Sequence, residues 1–304
     1  MSVFTLGTVQ LGMDYGLVGS TSKPSKEFAF KLLDKTVEKG VNILDTANNY
    51  GDSEKVIGEW MQTIDESKRP MIVTKIGPLD HSSDEACRAD ILAQTKKCLE
   101  TLGVSTIDVL MDHYYEDYDA HPEVLCQTFE EMKKMGWIRY SGVSVYSHHD
   151  YKKVAASGLD AVQIPFNIFD WGQIESGGLD ALAEADMMVF ARSVFLQGII
   201  FNTPEQIDPR MDFCVPYIKK FREFCDEFKM TPPVLAMSFA LSIPAISAVV
   251  LGCQTPDQVE GNCQMVDQVR LLTPEELAKI REAFVNIDPR VINPGLWFNA
   301  QQKK

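Results

Sequence analysis

At 304 residues the chain is long enough to bury a large core without a staple, and its 45% hydrophobic and 24% charged composition is ordinary for a globular protein. A formal net charge of -14 repels nucleic acid and anionic membranes, so neither is an expected partner. Any phosphorylated cofactor must then be held by local donors, against the overall field.

Short apolar runs alternate with longer amphipathic segments. The first run, Val3–Leu6, leads into a loop with Gly7, Gly12, Gly16 and Gly19. That spacing fits neither the GxGxxG fingerprint of an open doubly wound sheet nor a P-loop. Ser25–Lys39 reads as a helix, Val41–Leu44 as a strand, and Ser53–Gln62 as a helix capped by Asp52 or Ser53. Strands are then expected at Met71–Thr74, Ile107–Met111, Gly142–Val145, Ala161–Ile164 and Met187–Ala191. Helices at Glu85–Leu102, Glu123–Met135, Asp150–Ala156 and Leu179–Glu184 fall between them. Tyr217–Phe228 and Pro233–Leu241 read as added helices before the last strand, Ile246–Leu251. Pro274–Phe284 follows Thr273 as cap, with Glu276 three residues on, and the tail from Asn293 is irregular. Several runs are nearly continuous Val, Ile, Leu and Met, the pattern of strands covered on both faces. The expected fold is α/β, a (β/α)8 TIM barrel with additional C-terminal helices, as a single domain over residues 1–304.

The cysteines are odd in number and lack CxxC spacing, and no secretory signal precedes them, so reduced thiols in a cytoplasmic protein are expected. No apolar run reaches the ~18 residues of a membrane span. His148-His149 reads as a solvated loop pair without further ligands at metal spacing, and Cys253 as a packing residue.

In a parallel barrel the carboxyl ends of the strands line one rim. Asp45, Tyr50, Lys75 and His113 each stand just past an apolar run, so all four converge there. A phenol is a poor acid at neutral pH, with a pKa near 10. An ammonium ~4 Å away at an effective dielectric of ~20 favours the phenolate by roughly 4 kcal/mol, up to ~3 pKa units. Tyr50 beside Lys75 would exchange a proton near pH 7, with Asp45 holding Lys75 charged and His113 bonding a substrate oxygen. Hydride must come from elsewhere, and a nicotinamide is the usual donor.

These residues carry a resemblance to the aldo-keto reductases. The order Asp45 and Tyr50 in DTANNYG, Lys75 in VTKIG and then His113 is similar to that family's catalytic tetrad. GVSVYS (142–147), VQIPFN (162–167), ARSVFLQG (191–198) and LGCQTPDQVEGN (251–262) resemble its cofactor segments, so the likeness spans nearly the whole chain. It implies an NAD(P)H-dependent carbonyl reductase or alcohol dehydrogenase with Tyr50 as general acid. Ser144 and Gln163 would hold the nicotinamide amide, and Ser193, Phe195 and Gln197 the pyrophosphate. Gly252, Thr255, Gln258 and Asn262 would lie along the adenosine, with Thr8, Asp45, Arg192 and Gly198 completing the contacts. Three positions depart from the family pattern: Val145 replaces an Asn, Arg192 replaces an aromatic residue, and the basic 2′-phosphate clamp is missing from Gly252–Asn262. The cofactor is accordingly NADP(H) or NAD(H).

The substrate is a small-molecule carbonyl touching Tyr50 and His113, with Trp171 walling the pocket or packing in the core. Met13, Tyr15, Trp297 and Phe298 have the same two readings. Arg192, Asn167, Asp170 and Trp171 suit polyhydroxylated or phosphorylated carbonyls. The alternative class is a nucleotide-binding regulatory or partner-binding module, as in the channel-associated members of this fold. A monomer or small homo-oligomer is expected.

Overall fold

The computed structural model describes residues 2–14 and 23–297; Tyr15, Gly16, Gly19 and Phe298 lie outside them. Eight parallel strands close into a barrel in sequence order: β1 (Phe4–Gly7), β2 (Ile43–Asp45), β3 (Met71–Ile76), β4 (Ile107–Asp112), β5 (Ile138–Ser144), β6 (Ala161–Pro165), β7 (Met188–Arg192) and β8 (Ile246–Gly252). β1 closes on β8 through Phe4 opposite Val249 and Gly7 opposite Gly252. Every expected strand is present. Most run one or two residues further toward the rim than their apolar runs do, and β5 begins four residues earlier.

Side chains alternate across each strand. Ile43, Val73, Val109, Met111, Ala161, Phe190 and Ala248 point inward and plug the barrel. Leu44, Ile72, Leu110, Val143, Val162 and Val249 point outward and join the helix-facing core with Leu32, Ile57, Ile91 and Phe129. Burial on both faces explains the continuous apolar runs.

The helix Asp84–Leu102 starts at Ser83, whose hydroxyl accepts from the Ala86 amide, and stops at left-handed Gly103. Val215–Phe228 and Pro232–Leu241 fill the β7–β8 crossover, and Pro274–Phe284 carries the expected Thr273–Glu276 capping box. A helix absent from the sequence reading, Pro256–Val266, begins at Thr255, whose side chain accepts from the Gln258 amide. It packs on Lys26–Glu38. No helix among the described residues is long and apolar enough to cross a membrane.

Candidate active site

The plug aims the site. Two residues beyond Ile43, Val73, Met111, Ala161 and Phe190 come Asp45, Lys75, His113, Gln163 and Arg192, so a strand's period of two sends each to the same inner rim. One further ladder bond pins each strand end. Thr8 N donates to Asp45 O, Thr46 N to Val73 O, Asn48 N to Lys75 O, His113 N to Ile76 O, and Phe166 N to Arg192 O, all at 2.8–2.9 Å.

Lys75 is fully buried, and its ammonium donates to Asp45 Oδ1 at 2.7 Å and to Thr46 O at 2.9 Å. Gln163 Nε2 donates to the same Asp45 oxygen at 2.7 Å. Burial lowers the Lys75 pKa, and the Asp45 charge opposes it. The ammonium lies 5.3 Å from the centre of the Tyr50 ring, and His113 meets that ring edge-on with centroids 5.7 Å apart. A cation at a phenol favours the phenolate.

Tyr50 sits in the turn before the Ser53–Met61 helix, which packs backbone to backbone on the short helix Val9–Gly12. A Cβ on Gly12 would lie 1.7 Å from Tyr50 O and 2.5 Å from Ser53 N. Gly51, at φ +57°, faces it, and a Cβ there would lie 2.4 Å from Gly12 O. Only glycine allows this approach. Ser53, one of the two residues expected to cap that helix, instead donates its hydroxyl to Thr8 O at 3.0 Å and contacts the Thr8 and Thr46 hydroxyls. Asp52 takes the cap position, but its carboxylate pairs with Lys23 rather than capping the helix. Gly12→Ala is expected to displace the Tyr50 turn, destabilise the fold by about 1–3 kcal/mol and cut kcat at least tenfold. Thermal melts and steady-state rates check this, and an unchanged kcat would show that the turn tolerates the shift.

Burial, reinforced by the positive charges of Lys75 and Arg192, pushes His113 down to about 3. The imidazole is therefore neutral at ordinary pH. Its Nδ1 is buried without a hydrogen-bond partner among the described residues. An orphan lone pair costs less than an orphan N–H, so we assign the proton to Nε2, leaving an N–H donor for a ligand. The unfolded chain takes up this proton near pH 6.5, while the folded chain does so only near 3. Between those values the unfolded state holds more protons, so stability falls as pH falls. Taken from pH 6.5 to 5, wild type should lose roughly 2 kcal/mol more than His113→Gln, measured by urea unfolding.

The residues expected to face a cofactor lie at the carboxyl ends of β5 to β8 and just beyond them. Ser144 and Gln163 are buried opposite each other across β5 and β6. After β7 the backbone is left-handed at Ser193, Leu196, Gln197 and Gly198. Such strain marks functional loops, and successive amides in these conformations form anion-binding concavities, which fits a pyrophosphate. Ser193, Phe195, Gln197 and Gly198 are half-buried, whereas Val194 and Leu196 turn inward. Gly252 and Gln258 are exposed, and Thr255 and Asn262 half-buried, where β8 enters the Pro256–Val266 helix. Among the described residues, the basic side chain paired into this helix comes from far in sequence: Lys39 binds Glu260 at 2.7 Å.

Several expectations change. Thr8 is fully buried, and its hydroxyl donates to Asp45 O at 2.8 Å, so it supports the site from behind. Trp171 is 5% exposed, packs on Phe239 and donates to Ile168 O, so the contacts it makes are those of the core reading. Trp297 is likewise buried. His149 is not solvated: it is 8% exposed, stacks on Tyr115 at 4.0 Å and accepts from the Tyr146 amide. Cys253 is buried, and desolvation pushes its thiol up to about 12, in keeping with packing. Sequence reasoning also missed Tyr146, whose ring lies under Arg192.

The model of the aldo/keto reductase family matches residues 4–284. The uncharacterized oxidoreductase YqkF of Bacillus subtilis (strain 168) is 29% identical over 296 residues, covering 91% of this chain and 94% of that protein. A putative voltage-gated potassium channel subunit beta of Schizosaccharomyces pombe is 25% identical over 332 residues, covering 95% of this chain and 91% of that one. Among solved structures, the holo form of aldo-keto reductase AKR11C1 from Bacillus halodurans has the same fold, with a TM-score of 0.73 at 22% identity over 96% of this chain and 95% of that one.

Proposed function

Because the chain belongs to the aldo/keto reductase family, we propose that it interconverts a carbonyl (aldehyde, ketone or sugar-like) and its alcohol, using NADP(H) or NAD(H), with Tyr50 as general acid and base. The observation that carries this reading is the buried Lys75 ammonium, gripped by Asp45 and set against the Tyr50 ring. The bound dinucleotide supplies the hydride, which no side chain can provide. Ser144 and Gln163 would hold its ring amide, with the Gln163 carbonyl oxygen turned to it while the NH2 stays on Asp45. The left-handed loop after β7 would take the pyrophosphate, and Gly252, Thr255, Gln258 and Asn262 the adenosine end.

In reduction Tyr50 gives its proton to the substrate oxygen, and in oxidation it takes one back. Lys75 stabilises the phenolate left behind, and Asp45 with Thr46 O keeps the ammonium aimed. Neutral His113 donates from Nε2 to the carbonyl oxygen without itself supplying the proton. Separate fluorescence titrations with NADPH and NADH, followed by turnover on a carbonyl panel, test the reading. Failure to bind either dinucleotide would overturn it.

A second reading, a nucleotide-binding module acting through a partner, draws on the relative named as a channel subunit. A stoichiometric partner recovered on pull-down, together with no turnover of any carbonyl, would favour it.

A further inference from the structure

Arg192 ends β7 at the rim with no carboxylate partner, and it is the one guanidinium directed into the candidate site among the described residues. Arg88, Arg139, Arg210, Arg270, Arg281 and Arg290 each pair with an acid. The guanidinium of Arg192 instead lies over the exposed Tyr146 ring, its central carbon 4.8 Å from the ring centre, and gives one weak bond from Nη2 to Val145 O at 3.3 Å. Stacking on a ring face holds the plane of an arginine and leaves the donors on its edge open, the fork that matches a carboxylate or phosphate.

The surroundings leave this charge uncompensated. The Asp45 carboxylate is neutralised by Lys75, and the His113 imidazole is uncharged. Asp170, buried nearby, accepts from the Ser147 hydroxyl at 2.5 Å and from the Gly172 amide, and makes no ion pair with Arg192. Arg192 follows the inward-facing Phe190 by two residues, as Lys75 follows Val73 and His113 follows Met111, which puts it on their rim, and its positive charge acts on both groups. In a chain of net charge -14, an open cation inside the site is a local attraction for an anion that the surface otherwise repels.

We propose that Arg192, seated on Tyr146, anchors an anionic group, carboxylate or phosphate, carried by the carbonyl substrate. This rests on the carbonyl-reducing reading above and narrows it. The preferred substrates are short oxo-acids or sugar-phosphate-like aldehydes, with the anion at Arg192 and the carbonyl at Tyr50 and His113. Tyr146 is a positioning residue.

The test uses substrate pairs that differ in the anion: succinic semialdehyde against butanal, and glyceraldehyde 3-phosphate against glyceraldehyde. The ratio of kcat/KM, anionic over neutral, is measured for wild type, Arg192→Met and Arg192→Lys at saturating dinucleotide. In wild type at least one pair favours the anion tenfold or more. Arg192→Met brings that ratio near one, and Arg192→Lys, which keeps the charge without the fork, restores part of it. Ratios near one in wild type for both pairs, or a preference surviving in Arg192→Met, overturn the proposal. So does a tenfold loss of dinucleotide affinity in Arg192→Met with the ratio intact, because the anion would then be the cofactor's. If no carbonyl is turned over, equilibrium binding of the same pairs to the dinucleotide-bound protein gives the same ratio. Anion-selective binding lost in Arg192→Met would then sink the reaction but keep the anchor, and unselective binding would sink the anchor.

Discussion

Tyr50→Phe is expected to lower kcat for carbonyl reduction by about 100- to 10,000-fold, the range that a positioned acid contributes. The substitution removes one oxygen and leaves the ring against Lys75 and His113, so the dinucleotide and carbonyl should still bind. Steady-state rates and a parallel dinucleotide titration separate lost chemistry from lost binding. The pH dependence has a definite sign. Reduction consumes a proton and oxidation releases one, so raising the pH disfavours reduction relative to oxidation. A loss smaller than tenfold would mean that another group delivers the proton.

The second large effect concerns the buried ion pair. Lys75→Met leaves the Asp45 carboxylate in the barrel mouth with only the Gln163 amide and no cation bonded to it. Breaking a buried pair by removing one partner costs about 3–5 kcal/mol, which for a chain of this size is a fall in Tm of about 5–8 °C. Adding Asp45→Asn to Lys75→Met should recover much of the loss in stability without restoring activity. Calorimetry on the two single variants and the double variant checks this. A Tm for Lys75→Met within 2 °C of wild type would show that water, not Lys75, compensates Asp45.

The barrel was legible because strands buried on both faces must be apolar throughout, and eight such runs stand out against amphipathic helices. Asp45, Lys75, His113 and Gln163 were legible for a related reason: polar groups placed where such a run ends have little business there unless they serve a site. The strand ends themselves were missed, since the apolar pattern stops at Leu44 or Thr74 while ladder bonds carry the backbone on. The Pro256–Val266 helix was hidden by its polarity, with Val259 and Met265 its buried residues. The signal that marks it is Thr255-Pro256, a cap followed by a first-turn proline. Trp171 and His149 were undecidable locally, because Phe239 and Tyr115, distant in sequence, settle their burial. The clasp between Gly12 and Gly51 left only two unexplained glycines in the sequence.

The two-residue step from plug to rim bears on how this protein could be redesigned. Residues such as Val73 and Phe190 act as footings for the polar rim groups above them, so altering the interior would tilt several of those groups together. New substrate preferences are better sought at Tyr146 and the loop beyond Arg192, where a changed side chain leaves the footing of the others in place.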